Sequence, residues 1–123
     1  MLPMKIFRAS EIKLDRMQTD FFTGEVMRGV FIPAGESKDF TMGVVTFPKG
    51  VRNKFHTHTN DQILIATAGE GIVATENQQW TMKKGDIACI PGGLNHWHGA
   101  TSESDFYHIA IGRAGDKLEQ TED

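Results

Sequence analysis

The chain has 123 residues, 39% of them hydrophobic and 24% charged, with a formal net charge of −3. That length buries one core and suits a single soluble globular domain. Scattered basic residues within an acidic balance argue against a nucleic-acid partner. No run is long and apolar enough to suggest a membrane span, and the single cysteine excludes an intrachain disulfide framework.

In chain order, residues 1–24 read as an N-terminal arm. Its first residues carry Lys5 with no apolar run behind it, unlike a secretory signal, so a cytoplasmic location is the default expectation. Within the arm, Ile6–Thr19 suits either a short helix or an extended segment. Short β-like runs then follow at Glu25–Phe31, Thr41–Phe47, Asn53–His58, Gln62–Ala68, Gly71–Thr75, Gln79–Met82, Ile87–Ile90, Asn95–Ala100 and Phe106–Ile111. Glycine and proline turn signals separate them, notably at Pro33–Gly35, Pro48–Gly50, Ala68–Gly71, Lys84–Asp86 and Pro91–Gly93. Many short strands and no amphipathic helix predict an all-β sandwich or barrel. Cys89, inside Ile87–Ile90, reads as an inert core thiol. Residues 112–123 lack a periodic apolar face and read as a polar tail. Phe21-Phe22 and Val30-Phe31 exceed the apolar needs of a small barrel.

The five histidines carry the chemistry. His56 and His58 are two apart, so on a strand they project to one face, and Gln62 has the same parity. His96 lies far along the chain and can meet them only if the sheet closes on itself. Three imidazoles and an amide oxygen aimed at one point suit a divalent transition metal. All four donors are neutral, so the ion's charge would stay uncompensated and favour an anionic ligand or a developing oxyanion. His98 has the parity of His96, and His108 lies on the last strand-like run; either could act as a general acid or base. Trp97 and Tyr107 have the opposite parity and are expected to pack away from the pocket. Leu64, Ala110 and Val45 are candidate inward positions on its wall.

Two spaced motifs, Gly50-x5-His56-x-His58-x3-Gln62-x6-Gly69 and Gly85-x5-Pro91-x-Gly93-x2-His96, together resemble the two motifs of the cupin superfamily, whose fold is a jelly-roll β-barrel. Gln62 stands where that pattern usually has glutamate, and Ala100 where it often has asparagine. The resemblance covers about residues 41–111 and implies one cupin domain over 1–123. The run Asn95-His-Trp-His-Gly-Ala100 is similar to that of small single-domain cupins with a glutamine ligand. That group includes the cupins associated with carboxymuconolactone decarboxylases and the manganese-dependent hydroxynitrile lyases. The resemblance implies metal ligation by His56, His58, Gln62 and His96, pocket roles for His98 and His108, and a wall formed by Gly43 and Val45. It also implies a homodimer in which an N-terminal strand lies on the neighbour and covers the apolar arm.

The resulting expectation is a metal-dependent lyase acting on a small oxygenated molecule, with manganese as its ion and zinc, iron or nickel as the other candidates. In it, His108, helped by His98, takes the hydroxyl proton. An iron-dependent dioxygenase, a keto acid or uronate isomerase or decarboxylase, and a non-enzymatic ligand-binding cupin are the alternatives. Oxygen uptake separates the first of these from a lyase, and a tightly bound ligand recovered unchanged would favour the last.

Overall fold

The computed structural model describes residues 1–123. A single 3-10 turn at Ala9–Glu11 precedes ten strands: β1 (Asp15–Met17), β2 (Val26–Ile32), β3 (Phe40–Phe47), β4 (His56–His58), β5 (Gln62–Ala74), β6 (Gln79–Lys83), β7 (Ile87–Ile90), β8 (Trp97–Ala100), β9 (Phe106–Arg113) and β10 (Leu118–Gln120). The ambiguous arm therefore contains both a helical turn and an extended edge strand. All named pairings are antiparallel, as hairpin-linked short strands allow.

The 13-residue β5 organises the fold because it belongs to two layers. Its first half pairs with β7 and β9, and β9 continues through β3 and β2 to the edge strand β1. Its second half pairs with β6 on one side and β8 on the other. The separate pair β4–β10 is tied to the β8 side by the isolated bridges Arg52–Gly99 and His56–His96. The result is a curled all-β half-barrel.

The expected turn at Ala68–Gly71 is instead a bend inside β5. The ladder to β9 shifts register between Ala66 and Ala68, the mark of a bulge. Gly69 has φ +71°, and a Cβ there would stand 1.8 Å from the Asp105 carbonyl oxygen. A Cβ on Gly71 would stand 2.5 Å from the Phe106 ring. Glycine thus lets the strand turn from one layer into the other without leaving the ladder.

Between the layers lies a core of Val26, Phe47, Leu64, Ala66, Val73, Met82, Ile90, Ala100 and Phe106. Three expectations are corrected here. Cys89 is exposed, because Ala88 and Ile90, not Ile87 and Cys89, turn inward on β7. Phe21 and Phe22 are not surplus surface: Phe22 packs on the core, and the Phe21 ring lies edge-on to His56 at 4.8 Å. The polar tail folds back as β10, which pairs residue for residue with β4. Arg52 and Glu122 reinforce it with two hydrogen bonds, and the backbone N–H of Phe55 donates to Glu122. Those bonds hold the Glu122 carboxyl below the ordinary carboxylate range, with the Arg52 contact contributing most. No helix is long and apolar enough to cross a membrane.

Candidate metal centre and chamber

His56 and His58 occupy both ends of β4, and His96 stands just before β8. The bridge between His56 and His96 exchanges both backbone hydrogen bonds, so the two residues are fixed opposite each other. Their rings lie 4.3 Å apart, and ring nitrogens of His56, His58 and His96 all lie within 4.8 Å of one another. A group of three imidazoles at this spacing could hold a divalent metal ion.

The hydrogen bonds around the rings support that use. Nδ1 of His56 donates to the Lys54 carbonyl at 2.7 Å, and Nδ1 of His96 donates to the Leu94 carbonyl at 2.8 Å. A carbonyl can only accept, so each Nδ1 carries the proton and each Nε2 offers a lone pair. Nδ1 of His58 likewise donates to Asp116 at 2.6 Å. All three rings therefore present Nε2 to one point, with the opposite nitrogen anchored, as metal-ligating histidines require. His96 Nε2 and Gln62 Oε1 are buried without any hydrogen-bond partner. Two orphaned acceptors beside two further imidazoles are costly without a cation and are satisfied by one.

Burial adds to this pressure. Desolvation pushes the His56 imidazole down to about 3, with the neighbouring His96 and His58 adding to the effect. Desolvation also lowers His96 below its ordinary value. Both rings are thus neutral at physiological pH, the form that binds a metal.

Beside this group is a chamber of about 300 Å³. Phe21, Phe22, Val45, Phe47 and Ala110 form apolar walls, and His56, His58, Gln62, His98 and His108 contribute polar ones. A second, outer cavity of about 430 Å³ opens next to it and shares Arg28, Val45, His58, Gln62 and Ala110. Gly43 lines only the outer cavity. Its lack of a side chain fits a tight contact, since a Cβ would stand 2.8 Å from the Gly29 carbonyl. Leu64 lines neither cavity; it is 0% exposed within the core. Leu64 faces inward, but core packing fills that side of β5 and leaves it off the pocket wall. His96 also lines neither cavity and meets the other two imidazoles from within the protein.

His108 is 1% exposed, and neither ring nitrogen has a partner. Phe106 and Phe47 stack on it at 4.9 and 5.6 Å. His98 stands edge-on at 5.2 Å. Burial lowers His108 to about 4 and His98 well below its ordinary value, the latter with help from His108. The sequence pattern did not reveal Asn53, which holds His98: its Oδ1 accepts the His98 backbone N–H at 2.8 Å, and its Nδ2 lies 3.2 Å from a ring nitrogen. Trp97, of opposite parity, turns away and carries the Arg52 guanidinium over its ring at 4.8 Å; Tyr107 is exposed.

The largest omission was Asp116. Its carboxylate accepts the His58 Nδ1–H on one oxygen, while the other accepts the Asn60 backbone N–H at 2.8 Å and the Thr59 hydroxyl at 3.2 Å. Burial raises the Asp116 carboxyl, but the hydrogen bonds from His58 and Asn60 outweigh this and hold it below the usual range. The only local signal for it was the Gly115-Asp116 turn dipeptide, read as part of a tail.

The neutral state of His108 has a measurable consequence. An unfolded imidazole titrates near 6.5, whereas His108 in the fold titrates at about 4. Below pH 6.5 the unfolded chain binds a proton that the folded chain refuses. The stabilisation is therefore complete above pH 6.5 and declines as pH falls toward the folded value, by about 1.4 kcal/mol per pH unit. Metal-free protein should lose stability between pH 7 and 4.5, measured by urea unfolding. His108→Phe, which keeps the aromatic stack, should lose about 2 kcal/mol less over that range. Equal losses in the two proteins would contradict this account.

The comparisons with known proteins agree with the geometry. The cupin domain family matches residues 43–112. The chain is 32% identical to (R)-mandelonitrile lyase of Granulicella tundricola, over 98% of this chain and 96% of that one. A cupin-like protein from Thermotoga maritima superposes with a TM-score of 0.82 at 31% identity, covering 87% of this chain and 84% of its own. A polyketide cyclase from Streptomyces resistomycificus, 11% identical, shares the fold with a TM-score of 0.84 over 97% of this chain and 86% of its own. With both histidine-bearing segments inside the matched region and a full-length relative above 30% identity, the chain belongs to the cupin family.

Proposed function

We propose that this cupin is a metal-dependent lyase of the hydroxynitrile-lyase type, using manganese held by His56, His58, His96 and Gln62. It would release cyanide from a small cyanohydrin or add it to the corresponding aldehyde. The observation that carries this reading is His108: a buried, neutral imidazole with two unpartnered nitrogens, set in an apolar chamber beside a group suited to a metal. The near full-length similarity to a mandelonitrile lyase supports the choice of reaction.

A divalent ion bound there supplies Lewis acidity toward the substrate's oxygen. His108 accepts the hydroxyl proton as the bond between the hydroxyl-bearing carbon and the nitrile carbon breaks, with the electron pair leaving on cyanide. Because burial disfavours its charged form, His108 does not retain the proton and passes it to the departing cyanide, giving hydrogen cyanide and the aldehyde. Asn53 fixes His98 edge-on to His108, limiting the directions in which the His108 ring can turn. Phe47 and Phe106 hold that ring by stacking, and Phe47 with Val45 and Ala110 keeps bulk water from the reacting carbon.

The test is release of benzaldehyde or cyanide from mandelonitrile. His108→Ala is expected to lower kcat by at least about 100-fold, the scale of a lost acid–base group. Wild-type activity no higher than that of His96→Ala would refute the proposal.

A further inference from the structure

Arg28 has no role in the reaction described above, yet it is one of the five residues common to both cavities. The sheet register explains its position. Arg28 on β2 is opposite Val45 on β3, Val45 is opposite His108 on β9, and His108 is opposite Ala66 on β5. Residues directly across an antiparallel ladder project to the same face. Arg28 and His108 therefore point to one side of the sheet, separated by Val45 and two strand spacings, roughly 10 Å. A guanidinium on its long stem spans part of that gap.

Arg28 makes no ion pair or side-chain hydrogen bond. Its cross-strand neighbour on the other side, Asp15, lies 3.7 Å from Lys13. The inner chamber has no carboxylate in its lining, so Arg28 is its only charged residue. The outer cavity has Asp61 and Asp116, but both are engaged: Asp61 accepts the Gly92 N–H, and Asp116 holds His58. A hydrophobic wall with one free, planar, five-donor cation is a recognition site for a carboxylate. A chamber serving only neutral molecules gains nothing from it.

We propose that Arg28 is the anion-recognition residue of this site, and that the substrate is a small aldehyde, or its cyanohydrin, with a carboxylate on the end away from the reacting carbon. This rests on the lyase reading for the reaction but not for the binding. The reacting oxygen faces the histidine group, the chain of the substrate lies against Val45 and Ala110, and the carboxylate meets Arg28 at the junction of the two cavities.

Two four-carbon aldehydes separate the cases: succinic semialdehyde, which has the distal carboxylate, and butanal, which lacks it. Manganese-loaded wild type, Arg28→Gln and Arg28→Lys are compared for cyanide addition and, independently, for binding of each aldehyde by calorimetric titration. Wild type is expected to favour succinic semialdehyde by about tenfold in kcat/KM and in Kd, the worth of one charge-assisted contact. Arg28→Gln should bring both ratios near one, and Arg28→Lys should restore part of the preference. A wild-type ratio near one, or a preference that survives in Arg28→Gln, would overturn the proposal. If neither aldehyde reacts, the lyase reading fails, and the binding ratio alone decides the role of Arg28.

Discussion

Untagged protein isolated from manganese-supplemented cells is expected to carry about one manganese ion per chain, and the His96→Ala variant to carry almost none, even after incubation with manganese, zinc, iron or nickel in turn. His96 is 1% exposed, its Nδ1 is anchored on the Leu94 carbonyl, and its Nε2 is an orphaned acceptor. Removing it leaves His56 and His58, two donors from one short strand, with Gln62. Loss of a direct donor should exceed the 10–100-fold typical of an outer-shell partner, so affinity should fall by more than about 100-fold. The backbone bridge between residues 56 and 96 needs no side chain, so the fold should persist, as circular dichroism in chelator would show. Mass spectrometry of metal content checks the expectation. Stoichiometric iron in the wild type would favour an oxygen-consuming reaction over a lyase. A wild type that takes up no metal from any of the four ions would refute the site.

The second large effect is expected at Asp116. Asp116→Ala should weaken metal binding by about 10–100-fold, because the His58 Nδ1–H loses its acceptor and the ring its fixed orientation. Asp116→Asn keeps one acceptor oxygen and should recover part of the loss. Competition against a chelating dye measures the affinity, and thermal unfolding in chelator measures any separate cost to the fold. A variant that loses stability but binds metal as the wild type does would assign Asp116 to the β4–β10 connection alone. His58 would then orient itself without help.

The histidine cluster was legible because it depends on parity and order, both written locally in the chain. His56 and His58 share a strand face, and the His96 motif identifies the distant strand that must meet them. Strand positions were legible for a similar reason: β-branched runs are punctuated by Gly and Pro. The errors lie where the decisive partner is remote. Nothing local marks Gly69-Glu-Gly71 as a bend within a strand; that follows from Asp105 and Phe106 packed against it. Four apolar residues in a row at Ile87–Ile90 carry no alternation, so exposure of Cys89 could not be read from them. The last strand has a single apolar residue, Leu118, and gains its pairing from β4, about half the chain away. Arg28 is an exposed arginine like others in the chain, and only the register sets it in line with Val45 and His108.

That remote pairing also fixes an order of events during synthesis. His56 leaves the ribosome with its acceptor, the Lys54 carbonyl, already made, whereas His58 leaves it with no acceptor to choose its tautomer. The acceptor is Asp116, 58 residues after His58 in the chain. Domains of this size fold as units, so β10 can close on β4 only after residues 118–120 have been made. A chain that has not reached Asp116 offers metals a His58 ring free to turn, and one that has closed β10 on β4 offers an oriented set. Selection among ions thus falls to the chain in which β10 has closed on β4.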